Sequence, residues 1–253
     1  MVAHWSWSKL ACYLRCPAQF RFRYLLDAPP ESTSMALLLG SAIHDAVNLF
    51  HARRQTDPIE LPDLVASFQA QLTQAVAHQT TPIRFSKTHP DLATNLTLGA
   101  AMLQAYVDAA PVHPLEAMEK EYQAPLDDLP LVGFVDRLER HPEGLVVVEL
   151  KTAARAWSPA DAAFSGQLSC YGLLLQHAGH RVRYRVEVLT KTKAPRLVQL
   201  TTDRSPADFA RVRAQFAHLA RAVQAEVFPP NPGPMTCGGC EYRGQCTNRI
   251  TGT

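Results

Sequence analysis

No stretch of this chain approaches the roughly 18 to 20 consecutive apolar residues that span a bilayer. Its start, Met1 to Lys9, lacks the basic-then-apolar order of a secretory leader. A cytoplasmic protein with no membrane partner is therefore expected. The sequence also has no GxxxxGK loop to cradle a nucleotide, no internal repeat and no low-complexity tract. Its formal net charge is only +2, so a nucleic-acid partner has to be argued from local chemistry rather than from global charge. What the chain does have is 253 residues, 47% of them apolar, enough to bury a full core. Three of its six cysteines, Cys237, Cys240 and Cys246, crowd its last stretch, whereas Cys12, Cys16 and Cys170 are scattered. In a reducing compartment such crowding favours metal over disulfide.

The first half reads as helical. Ser6 or Ser8 caps a short helix carrying Cys12 and Cys16 and stopped near Pro17, after which Phe20, Phe22 and Tyr24 alternate with Arg21 and Arg23. Apolar residues recur at helical spacing from Gly40 to about Arg54, and Leu61 to His78 and Asp91 to Ala110 read as further helices. Past Pro114 the pattern changes. Leu131 to Arg140 and Gly144 to Lys151 are short and rich in Val and Leu, and His141-Pro142-Glu143-Gly144 between them suits a tight turn, so the two are expected to form an antiparallel hairpin. Ser158-Pro159 starts a helix that runs to Gly179 and contains Gln167 and Tyr171. Period-two alternation returns at Arg181 to Val188, with Arg196 to Thr202 pairing beside it. Ser205-Pro206 then opens an amphipathic helix that ends before Phe228.

If the turn centres on Pro142 and Glu143, Asp136 faces Glu149 across the hairpin. Directly opposed carboxylates repel unless a cation sits between them. Lys151, two residues past Glu149, shares its face of the strand. Acid, acid and lysine around a hard divalent ion such as magnesium or manganese suit phosphodiester hydrolysis: the ion acidifies a bound water, and the lysine positions it or stabilises the developing charge. A surface hairpin of ordinary solvated charges fits these residues equally well.

Gly133-Phe134-Val135-Asp136-Arg137-Leu138-Glu139 followed by Val147-Val148-Glu149-Leu150-Lys151-Thr152 resembles the active-site core of RecB-like PD-(D/E)XK nucleases. Gly40-Ser41-Ala42-Ile43-His44 resembles the family's upstream Gly-x-x-x-His helix. Gln167 and Tyr171 resemble its Gln-x-x-x-Tyr helix, at the spacing that puts both on one helical face. The resemblance implies that His44, Asp136 and Glu149 hold the metal together with the Leu150 carbonyl, that Lys151 is catalytic, and that Gln167 and Tyr171 line the substrate channel. It further implies that Glu121, shortly before the first strand, supports the site.

Cys237-x-x-Cys240-x5-Cys246 supplies three thiolates, and Cys16 is the best candidate for a fourth; by residue type alone four cysteines suit zinc as well as iron. The split arrangement, with Tyr242 between the last two, resembles the iron-sulfur members of the same family, the CRISPR-associated spacer-acquisition nucleases and the AddB-type nuclease domains. There, one cysteine before the fold and three after it bind a 4Fe-4S cluster. The resemblance thus implies a structural 4Fe-4S staple on Cys16, Cys237, Cys240 and Cys246, with zinc the alternative, while Cys12 and Cys170 are expected to be buried apolar residues.

The stretch from Arg181 to Arg196 holds six basic side chains and one acidic, a DNA-binding strip or simply a charged edge strand. Trp5 and Trp7, with the aromatic and arginine mixture of Phe20 to Tyr24, are available either to stack bases or to pack the cluster. The expected fold is α/β, a restriction-endonuclease-like mixed sheet flanked by helices. It forms one nuclease domain with an N-terminal segment (1–39), an inserted helical lobe (40–113), a nuclease core (114–228) and a cysteine-rich tail (229–253). The resemblance implies a metal-dependent deoxyribonuclease, an exonuclease on single strands or duplex ends, working in repair or CRISPR adaptation with a helicase or integrase partner. Two other readings remain: a non-catalytic iron-sulfur scaffold subunit, against which the intact acidic and lysine positions speak, and a zinc-binding interaction protein without a nuclease core.

Overall fold

The computed structural model of the protein describes residues 3–251, with side chains up to Thr247. The chain opens with α1 (Trp7–Arg15), capped by the Ser6 hydroxyl, then α2 (Pro17–Phe20), with Cys16 ending one helix and starting the next. The alternating aromatic and arginine residues of Phe20 to Tyr24 lie in helix. Arg21–Leu25 is a π-helical turn that buries Phe20 and Phe22 while the arginines stay outside. A two-residue strand β1 (Thr33–Ser34) leads into α3 (Met35–Arg54), α4 (Leu61–Ala77), β2 (Ile83–Arg84), which pairs with β1, and α5 (Leu92–Ala109). Asp91 caps α5 with a reciprocal bond to Thr94.

The sheet begins earlier than the sequence pattern suggested. β3 (Leu115–Leu126) precedes the hairpin strands β4 (Leu129–His141) and β5 (Gly144–Ala153) and pairs antiparallel with β4. As the sheet's outer strand it exposes Glu119, Lys120 and Glu121 in succession, so it lacks the apolar alternation that marks a strand. The hairpin register is the expected one: His141 pairs with Gly144, and the ladder runs to Arg137–Val148.

The predicted long helix is two, α6 (Pro159–Ala163) and α7 (Gly166–His177), the first held by a Ser158–Asp161 capping box. The chain re-enters helix at Gly166 against the Trp7 ring, where a Cβ would stand 2.3 Å from a ring carbon. β6 (Val182–Thr190) returns parallel to β5, and β7 (Leu197–Thr202) completes the sheet in the order β3-β4-β5-β6-β7. Then come α8 (Pro206–Gln224), α9 (Pro234–Cys237) and α10 (Arg243–Thr251).

Helices cover both sheet faces, as expected for the mixed α/β architecture. One core joins the sheet to α1, α7 and α8 through Leu10, Leu138, Val147, Leu174, Val186 and Phe216. A second joins α3, α4 and α5 to Leu150 and Leu189. Cys12 and Cys170 are buried in the first core. Trp5 lies there too, bridged to Leu131 beside β4, and Trp7 packs on the same core. Trp5 is buried and Trp7 half-buried.

The basic strip is also corrected. Arg185 and Glu187 are buried; Arg185 bonds Glu139 at 2.6 Å and Glu187 at 3.1 Å, and Arg137 also pairs with Glu187. Helices α3 and α5 cover this sheet face, so the charge of Arg185 is consumed internally, whereas Arg181, Arg183, Lys193 and Arg196 stay exposed. Arg183, which stays exposed, pairs with Glu143. No helix among the described residues is long and apolar enough to cross a membrane.

Candidate active site

Beyond the Arg137–Val148 pair the hairpin ladder stops, and the Asp136 carboxylate takes the place of a backbone acceptor: Leu150 N–H donates to Asp136 Oδ2 at 2.9 Å. Glu149 follows Val148 and so stands in line with Asp136. On the other side, Glu119 lies between the Met118–Arg137 and Lys120–Val135 pairs, also in line with Asp136. Three carboxylates on three neighbouring strands thus converge where the regular ladders are interrupted. Glu119 has φ 47°, a left-handed conformation uncommon for a side-chain-bearing residue, and strain of this kind gathers at functional sites.

Helix α3 brings His44 in from above. A Cβ on Gly40, one turn earlier, would stand 3.2 Å from Thr152 Oγ1, so the glycine lets the helix lie close on β5. His44 Nδ1 is 3.7 Å from Asp136 Oδ2, and donor atoms of His44, Glu119 and Asp136 all lie within 4.8 Å of one another. Asn48, one turn further along α3, donates to Glu119 at 2.7 Å. Glu121 is not part of this group. It is exposed, accepts from Gln123 and pairs with Phe134, two residues along β4 from Asp136. Glu119, two residues earlier, occupies the supporting position instead.

Lys151 donates to Glu149 Oε1 and, at 2.6 Å, to Gln167 Oε1. Gln167 in turn donates to the Tyr171 hydroxyl at 2.9 Å along the face of α7. The second Glu149 oxygen, Oε2, is buried and has no hydrogen-bond partner, a costly state for a carboxylate. Burial, reinforced by the charge of Glu149, holds the Asp136 pKa well above the usual carboxylate range, against the opposing pull of the Leu150 amide and Lys151. Burial, partly offset by Glu149, lowers the pKa of His44 and keeps its ring neutral. Crowded acids, a neutral imidazole and an orphaned carboxylate oxygen form a donor set that fits a divalent cation.

Where the two ends of the chain meet, Cys16, Cys237, Cys240 and Cys246 line one cavity of about 250 Å³. Asn231 N–H points at Cys16 Sγ at 3.4 Å and Tyr242 N–H at Cys240 Sγ at 3.5 Å. Burial and the fields of Cys16 and Cys237 push the Cys246 thiol up, and burial followed by neighbouring charges does the same at Cys240. Phe22 stacks on Tyr242 with centroids 5.6 Å apart, roofing the cavity with the π-helical turn.

The sequence profile of the PD-(D/E)XK nuclease superfamily matches residues 4–247. The chain belongs to the PD-(D/E)XK nuclease superfamily. No curated protein matches the sequence significantly. Among solved structures, the chain is similar to a protein from Eubacterium rectale described as a "putative exonuclease". The two share 12% identity over 96% of this chain and 87% of that one, with a TM-score of 0.59, a likeness of fold. It is also matched to SSO0001 at 12% identity, covering 91% of this chain and 93% of that one, with a TM-score of 0.38, too loose to bear on the site. The chain is thus a nuclease by family, and the place where the interrupted strands converge is its candidate site.

Proposed function

We propose that this nuclease is a divalent-metal-dependent deoxyribonuclease, an exonuclease acting on single strands or duplex ends. The observation that carries the proposal is the buried, partnerless Glu149 Oε2 beside Asp136 and Lys151. His44, Asp136 and Glu149, with Glu119 and the Leu150 carbonyl, would hold magnesium or manganese. When bound, such an ion lowers the pKa of a water and neutralises charge on the phosphate. Lys151 has three donors; Glu149 and Gln167 take two, which aims the third toward the attacking water or a phosphate oxygen. Gln167 fixes the ammonium and is itself fixed by Tyr171, so the pair acts as a positioning strut along the substrate channel.

Cys16, Cys237, Cys240 and Cys246 would hold a 4Fe-4S cluster as a structural staple. All four thiols line one cavity, and the resemblance to the iron-sulfur branch favours the cluster over zinc. The amides directed at Cys16 and Cys240 suit thiolate ligands. The resemblance to the iron-sulfur branch extends the proposal to one nuclease domain spanning 1–253, working in the cytoplasm in DNA repair or CRISPR adaptation beside a helicase or integrase.

The test is degradation of end-labelled single- and double-stranded DNA by anaerobically purified protein with manganese, alongside Lys151→Ala. Metal-dependent cutting that the variant loses supports the reading; cutting that survives the substitution overturns the assignment of Lys151.

A further inference from the structure

Three residues on a separate part of the sheet, His113 before β3, Glu139 in β4 and His141 at the end of β4, bring their donor atoms within 4.8 Å of one another. His141 Nε2 is 3.1 Å from Glu139 Oε2, and the two imidazole rings lie 3.9 Å apart centroid to centroid. Glu139 has 0% exposure. Its carboxylate is immobilised by Arg185 at 2.6 Å and by Arg137 at 3.4 Å. Both arginines also pair with Glu187, so two guanidinium charges are matched by two carboxylates. The backbone on each side is fixed as well: Gln55 donates to the His113 carbonyl at 3.3 Å, and His141 closes the hairpin ladder against Gly144.

We propose that His113, Glu139 and His141 form a second metal site, one that takes a zinc-like transition ion rather than magnesium. A spacing of 3.1 Å between two donors fits a shared proton. It equally fits two ligands of one ion with bonds of about 2.0 to 2.2 Å. The ion would sit between His141 Nε2 and Glu139 Oε2, with His113 closing the third ligand position. Two imidazoles and one carboxylate are a zinc donor set, whereas magnesium prefers oxygen ligands throughout. Arg137 and Arg185 orient the carboxylate from behind. The half-buried histidines leave a coordination position toward solvent. A bound ion would tie the segment entering β3 to the tip of the β4–β5 hairpin, and this site shares no ligand with the one at Asp136.

The test uses the full-length chain with its thiol site filled and Asp136→Asn to weaken the other metal site. Equilibrium dialysis against zinc in excess magnesium should show one bound equivalent, and His113→Asn and His141→Gln should each weaken that binding at least about tenfold. Cobalt added to the same protein should give visible d–d bands without a sulfur charge-transfer band, a readout that does not depend on any variant at this site folding. No magnesium-resistant equivalent, unchanged zinc affinity in both variants, or a sulfur charge-transfer band would each overturn the proposal.

Discussion

The Leu150 amide donates to Asp136 Oδ2 at 2.9 Å, so a side chain closes the sheet at the place where the β4–β5 backbone ladder ends. That single bond spends a carboxylate on the fold and leaves its other oxygen for chemistry. It also explains why Asp136 and Glu149 stay side by side despite their repulsion.

Lys151→Ala should lower the rate of phosphodiester cleavage by about 10²- to 10³-fold, the usual cost of one transition-state donor. Gln167→Ala, which removes only one of its anchors, should cost less. Single-turnover rates on a labelled oligonucleotide would check both.

Glu119→Gln should raise the manganese concentration needed for half-maximal activity by about 10- to 100-fold, as loss of a supporting group at a metal does. Glu121→Gln should leave it unchanged, because that side chain is exposed and bonds Gln123. Equal effects from the two would remove Glu119 from the site.

His51 is buried against Tyr106, at 2.8 Å, and Tyr106 donates to Glu187 at 2.7 Å. Burial and the Arg137 charge push its pKa down to about 3. Between that value and the ordinary one near 6.5 the unfolded chain binds a proton that the folded chain refuses, so stability rises with pH across this window and is lost as pH falls. From pH 6.5 to 5 this one group should cost about 1.5 to 2 kcal/mol. His51→Gln should flatten that part of the denaturation-versus-pH profile.

Gly166→Ala would drive a methyl group into the Trp7 ring, which already lies 2.3 Å from the Cβ position. The expected destabilisation is about 1 to 3 kcal/mol, as for other overpacked sites, read as a lower denaturation midpoint with an unchanged slope.

If the four thiols hold the proposed cluster, the anaerobic protein should be brown, and removing any one of Cys16, Cys237, Cys240 or Cys246 should abolish that colour and lower the melting temperature, since the cavity ties residues more than two hundred positions apart. Cys12→Ala and Cys170→Ala should keep the colour, because both thiols sit in the apolar core.

Much of the site is local enough to be legible in the sequence. The turn at Pro142 and Glu143 sets the hairpin register, which in turn puts Asp136 beside Glu149 and Lys151. Helical periodicity puts Gln167 and Tyr171 on one face, and serine–proline starts mark α6 and α8. Each of these follows from residues close together in sequence, where backbone geometry leaves few choices.

What only the tertiary structure decided depends on partners far apart in sequence. Glu119 joined the site because β3 pairs with β4 and takes a left-handed turn at that residue, and an outer strand with exposed charges carries no pattern that announces it. Arg185 and Glu187 looked like part of a solvent-facing strip until helices α3 and α5 closed over them. Alternation along a strand says which side chains share a face; which face water reaches is settled only by what packs on it.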